Sequence, residues 1–424
     1  MKTFSALNIA LLLLLGTSAH ARQSAATVFT GATVLDGTGS AIPNAVVVVR
    51  DGRIESIGAG SQTPRPAEAR TVDVRGKFLM PGMITAHAHI SDIDGLKPRA
   101  YTDANTLRQL GVFARYGVTS VWSLGGEQAP AFKARATQTS ASLDRARIFL
   151  AGDIITGATP AAARAMVAKV AAGTPDIIKI RVDDNLGAAQ KMTPAVYAAV
   201  IDEAHKHNLR VAAHIYYLDD AKGLLKAGVD VIAHSVRDKE IDAEFISLMK
   251  ARDVAYCPTL TRELSTFVYE STPAFFTDPF FTTEADPAVV AQLKEPARQA
   301  AMATSASAQT YKAQLPLAQR NLKKAIDAGI TVVMGTDTGP FPERFQGYFE
   351  HVELEMMVQS GLTPAQALKS ATGDAARGLK MKDIGTLAPG HWADIVVLDG
   401  DPRRDIRNTR SIADVYVAGN RIAR

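Results

Sequence analysis

Between Pro81 and about Ala376, short apolar runs alternate with alanine-rich segments of helical periodicity. The candidate strands are Met83 to Ala88, Thr119 to Leu124, Arg147 to Ala151, Ile177 to Val182, Arg210 to Ile215, Asp230 to His234, Val254 to Cys257 and Thr331 to Gly335. Helical stretches fit between them, among them Thr102 to Tyr116, Pro160 to Ala172, Pro194 to His207, Leu218 to Ala227 and Ile241 to Ala251. Several open on Thr or Pro and close near Gly, as helix ends do. Eight strands in strict alternation with helices predict an α/β fold, a parallel (β/α)8 TIM barrel over residues 81–376. The connection 259–329, between the seventh and eighth strands, is far longer than such loops need and predicts a lid or pocket wall.

The flanks have a different texture. From Val28 to Met80, β-branched runs are broken by turn pairs such as Asp36-Gly37 and Asp51-Gly52, and the same pattern returns in Ala393 to Leu398 and Val415 to Val417. Residues 27–80 and 385–424 are therefore expected to pair into one small β-sandwich domain built from both termini. Ahead of them, Met1-Lys2, the apolar run Ala6 to Leu15 and Ala19-His20-Ala21 have the order of a secretory signal peptide over residues 1–21. The expected location is periplasmic or secreted, with no membrane attachment once the signal is removed.

Composition limits the chemistry. Lys+Arg 47 against Asp+Glu 43 gives a formal charge of +4 with the basic residues scattered, so nucleic acid is not an expected partner. The single cysteine, Cys257, excludes a disulfide framework and a cysteine zinc cluster, so a metal would have to be held by His, Asp, Glu or Lys. Gly58-Ala59-Gly60 lacks the third glycine and the helix of a dinucleotide fingerprint.

A barrel carries its chemistry at the C-terminal ends of its strands. The first strand ends in His87-Ala88-His89, two imidazoles on one face, suited to joint ligation of a cation. The fourth has Lys179 within an apolar run, readable as a structural ion pair or as a desolvated amine able to add carbon dioxide and bridge two cations as a carbamate. The fifth ends at His214, the sixth at His234, and the eighth runs into Asp337. At about 30 residues per βα unit, Lys179 stands three units beyond His89, His214 and His234 one more each, and Asp337 two units plus the long connection. The counting thus places all six in one barrel mouth. Other histidines have plainer readings: His205 and His207 at a polar helix end, His391 in a loop, and His351 as a structural residue of a late helix.

This constellation resembles the amidohydrolase superfamily. Met80-Pro81-Gly82-Met83-Ile84-Thr85-Ala86-His87-Ala88-His89 and Leu387-Ala388-Pro389-Gly390-His391-Trp392-Ala393-Asp394 are similar to its imidazolonepropionase-like and Xaa-Pro-dipeptidase-like (ochratoxinase-like) members. The resemblance implies two divalent metal ions, zinc before manganese or cobalt, with a CO2-derived carbamate on Lys179. His87, His89 and Asp337 would hold one cation, His214 and His234 the other, and Lys179 both. It also implies an exported hydrolase that cleaves an amide or peptide bond of a small-molecule substrate, a dipeptide or an N-acyl amino acid, with a hydroxide bridging the cations. Asp337 would carry the proton to the leaving amine.

Tyr216, two residues beyond His214, is a candidate donor to the oxyanion if the strand continues, or else rim packing. Arg237 is a candidate grip for a substrate carboxylate, with a surface ion pair to Asp238 or Glu240 as an equal explanation, and Arg181 is a weaker candidate for the same grip. A mononuclear deaminase or cyclic-amide or lactone hydrolase, and a metal-free scaffold or binding protein, are the alternatives; self-association into a homo-oligomer is open.

Overall fold

A computed structural model describes residues 25–423; the proposed signal segment lies outside them. The terminal strands form one continuous mixed sheet of eight strands. Thr27–Leu35 pairs with Ala41–Arg50, which pairs with Arg53–Ala59. The two ends of the chain meet where Phe78–Pro81 runs antiparallel to Ile395–Leu398, in the register Phe78 to Leu398 and Pro81 to Ile395. Alternation puts Phe29, Val47, Val49, Leu79, Ile395 and Val397 on one face, and they form a core of their own.

The middle of the chain forms the expected α/β barrel. Its strands are Met83–Ala88, Val118–Ser123, Arg147–Leu150, Ile178–Val182, Val211–Ile215, Val231–Ala233 and Ala255–Cys257, each parallel to its ladder neighbours. They lie in two ladders, joined between the third and fourth strands by the bridge of Ile155 to Ile180. The expected eighth strand is not a regular one. The run from Thr331 to Thr338 closes the barrel through single bridges, Tyr256 to Val332 on one side and Ala88 to Thr338 on the other. Bonds from Ala86 N–H to Met334 C=O at 2.7 Å and Val333 N–H to Tyr256 C=O at 2.9 Å hold it in place.

The helices start where the sequence has caps. Thr102 accepts from Asn105 N–H ahead of Asp103–Arg115, and Thr159 accepts from Ala162 N–H ahead of Pro160–Ala172. Leu218–Ala227 ends at Gly228, whose φ of 103° is left-handed. The long connection is mostly helical. It runs through Leu260–Leu264, Pro287–Leu293 and Pro296–Thr304 into the 22-residue helix Ala306–Asp327, which returns the chain to the barrel. Tyr269, Phe276 and Phe281 of this connection pack with Tyr348 and Phe349 into an aromatic core beside the barrel. Among the described residues no helix is long and apolar enough to cross a membrane.

Candidate active site

The barrel brings four of the six expected ligand residues into direct contact. Asp337 Oδ1 lies 3.0 Å from His89 Nε2 and 3.3 Å from His87 Nε2, and Lys179 Nζ lies 3.2 Å from His87 Nε2. His214 and His234 lie beside them edge to face, with ring centroids 4.1 Å apart and His234 4.6 Å from His87.

Backbone geometry at the strand ends does much of the aiming. His234, Thr259 and Asp337, just past the sixth, seventh and eighth runs, all take left-handed φ values of 74°, 49° and 60°. Non-glycine residues there are strained, and they turn side chains off the strand alternation.

Three of the four imidazoles are oriented by a further contact. His89 Nδ1 meets Gly125 C=O at 3.1 Å, which leaves Nε2 toward Asp337. Glu127 holds that loop by accepting from Gly125 N–H and Gly152 N–H, both at 2.7 Å. His234 Nδ1 meets Thr259 Oγ1 at 2.6 Å. His214 Nε2 meets Asp183 Oδ2 at 2.8 Å.

Burial dominates the electrostatics. It drives the basicity of His87 and His234 well below the usual imidazole value and lowers His214 to about 3, so these rings are neutral donors. Burial would raise the Asp337 carboxyl, but the Arg344 guanidinium and the two histidines overturn that and hold it well below the usual range. Lys179, only 3% exposed, is brought down to about 8, again chiefly by loss of water.

The donor set fits a divalent cation. His87, His89 and Asp337 each offer one ligand atom, all within 4.8 Å of one another. His234 Nε2 and His87 Nδ1 are buried without a hydrogen-bond partner, an unfavourable state that a cation would relieve at His234.

The cavity above is lined by His87, His89, Lys179 and His214, together with Leu124, Ile154, Arg181, Arg262 and Arg344. Arg344 reaches the Asp337 carboxylate and donates from Nε to Ser265 Oγ at 3.1 Å. Arg262 is 7% exposed, pairs with Glu263 at 3.0 Å, and keeps a buried Nε with no partner.

Arg237 is not on the surface. It is fully buried, 3.2 Å from Glu263, and donates to Ile215 C=O and Ser235 C=O. The expected surface pair is absent: Asp238 accepts from Leu218 N–H, and Glu240 lies 3.8 Å from Arg320 and from Lys324. Tyr216 does not line the cavity; the strand stops at Ile215, and the ring sits under the Arg237 guanidinium and beside Tyr311 of the long connection. Arg181 lines the mouth, 3.5 Å from Asp183. His351 is structural, bonded to Thr409 Oγ1 and Tyr116 C=O.

Arg344, Asp183 and Glu127 were missed because they sit in loops without periodicity, and Arg262 because its helix, Leu260–Leu264, is too short to show one. The one available signal was charge placed a few residues past each strand end.

The sequence profile of the Amidohydrolase family matches residues 78–422, so the chain belongs to that family. His87, His89 and Asp337 are grouped closely enough to hold a metal ion. Ochratoxinase of Aspergillus niger is 26% identical over 247 residues, 56% of this chain and 42% of that one, so the match spans less than half of that relative. A structure from Bifidobacterium longum, provisionally described as a prolidase, superposes with a TM-score of 0.75 at 26% identity over 95% of each chain. A Xaa-Pro dipeptidase with bound methionine reaches 0.75 at 22% identity over 94% of this chain and 100% of its own, a likeness of fold.

Proposed function

We propose that the protein is an exported, binuclear amidohydrolase that cleaves the amide or peptide bond of a dipeptide or N-acyl amino acid. The observation that carries the reading is the meeting of His87, His89, Lys179 and Asp337 at hydrogen-bond range under a cavity walled by arginines. His87, His89 and Asp337 would hold one zinc ion, His214 and His234 a second, and a carbamate on Lys179 both. Bound there, such cations supply an activated water and a polarised carbonyl.

The chain's own groups do the rest. Asp337 receives the water's proton and passes it to the leaving amine nitrogen. Lys179, with its amine near 8, has an uncharged fraction at neutral pH that adds CO2 and releases a proton. Arg262 takes the role first considered for Arg237: its buried, unpartnered Nε faces a need for an acceptor, and a substrate carboxylate meets it. Leu124 and Ile154 add apolar surface to the cavity lining, which disfavours water there.

The test is turnover by zinc- and bicarbonate-loaded protein of dipeptides and N-acyl amino acids against the same compounds with an amidated C-terminus. Free carboxylates are expected to be preferred by about tenfold or more in kcat/KM; equal rates would remove Arg262 as an anchor. A mononuclear deaminase or cyclic-amide hydrolase is favoured by one observation, the engagement of His214 Nε2 by Asp183. Uptake of one metal per chain would select it.

A further inference from the structure

Asp337 is held in a left-handed turn that neighbouring bonds over-determine. Thr336 N–H and Asp337 N–H both donate to His87 C=O, at 3.0 and 2.8 Å. Thr338 N–H donates to Thr336 Oγ1 at 3.2 Å, which closes a loop around Asp337. The hydroxyls of Thr336 and Thr338 both donate to Oε1 of Glu350, at 2.7 and 2.9 Å.

Glu350 lies on the helix Tyr348–Gln359, fully buried, and its Oε2 has no partner. Packing does not explain such a group, since an apolar side chain of similar volume would stabilise the helix better. Its bonds do. A hydroxyl has one proton, and with the Thr336 proton directed to Glu350, the oxygen's lone pairs remain for Thr338 N–H. One helical turn on, the buried Glu353 accepts from Leu260 N–H at 2.8 Å and from Thr261 N–H and Oγ1, both at 2.7 Å. The same helix thus ties down the segment that carries Arg262.

We propose that Glu350 is a positioning residue: by fixing the Thr336 hydroxyl it locks the turn that aims Asp337 Oδ1 at His87 and His89. This rests on Asp337 being a metal ligand. Glu350 acts through Thr336 and Thr338, whose hydroxyls it holds.

The test is zinc affinity of metal-stripped protein, titrated against a chromophoric chelator, with kcat and KM on the wild type's best dipeptide. Thr336→Val, isosteric but without a proton to give, and Glu350→Ala are expected to weaken zinc binding and lower kcat by about 10–100-fold. KM should change less than about twofold, and Thr336→Ser should restore both. A merely structural role would lower the melting temperature of the metal-free protein and leave zinc affinity alone. A folded Thr336→Val with wild-type zinc affinity overturns the proposal, also where Glu350→Ala fails to fold. Asp337→Asn run alongside separates the two ideas. Unchanged affinity there defeats the ligand reading itself, whereas loss in Asp337→Asn without loss in Thr336→Val defeats only the positioning.

Discussion

Lys179 and Arg262 show how burial gives ordinary side chains unusual properties. An exposed lysine amine is almost wholly charged near neutrality, whereas Lys179, under the cavity, is lowered to about 8. Arg262 stays charged, and on the proposed reading its buried Nε, which has no hydrogen-bond partner, takes the substrate carboxylate. Replacing Arg262 with Met should raise KM for carboxylate-bearing substrates by about 10–100-fold and leave their amidated counterparts nearly unaffected, as steady-state kinetics on both will show. An equal rise for both would mean that Arg262 only supports the cavity wall. The six ligand-type residues were legible in the sequence because each lies within or just beyond an apolar strand and the barrel repeat fixes their spacing. The proposed carboxylate anchor, Arg262, was not legible. Arg237 and Arg262 both stand three residues beyond a left-handed residue, His234 and Thr259, and only the packed connection shows that the first is covered and the second lines the cavity.

Elements decide which side chains can meet. Seven barrel strands follow from apolar runs, but the closing run Thr331 to Thr338 bonds through single bridges, because its backbone turns to aim Asp337 and cannot also sustain a ladder. Periodicity does not record such a turn; the neighbouring threonines were its only trace. The terminal sheet is tied to the barrel by Arg147 of the third strand, whose Nε and Nη2 lie 3.1 and 3.3 Å from the Asp394 carboxylate while its guanidinium covers Trp392 at 4.2 Å. Both charges are buried. Arg147→Met should therefore destabilise the fold by about 3–5 kcal/mol in urea unfolding, since it leaves Asp394 uncompensated. A change within about 0.5 kcal/mol would show that the sheet and barrel are joined by apolar packing alone.

Over the whole molecule, buried acids should leave a mark on the pH dependence of stability. Burial raises Glu127 and Glu353 from 4.5 to about 7, so the folded state holds these protons more tightly than the unfolded chain. Their contribution is therefore greatest below about 4.5 and is lost as pH rises through about 7. Metal-free Glu127→Gln should accordingly lose less stability than wild type between about pH 5.5 and about pH 8, by on the order of 2 kcal/mol in urea midpoints converted to free energy. Parallel profiles would place the carboxyl in a wetter setting. The same burial keeps His87, His214 and His234 of the mouth neutral, which suits cation binding.

That chemistry is tested most directly by the metal content of the purified protein, measured by elemental analysis after expression with added zinc and bicarbonate. Close to two zinc ions per chain are expected, with a clear loss in Lys179→Ala. A wild-type chain that binds none under these conditions, while folded, contradicts the account.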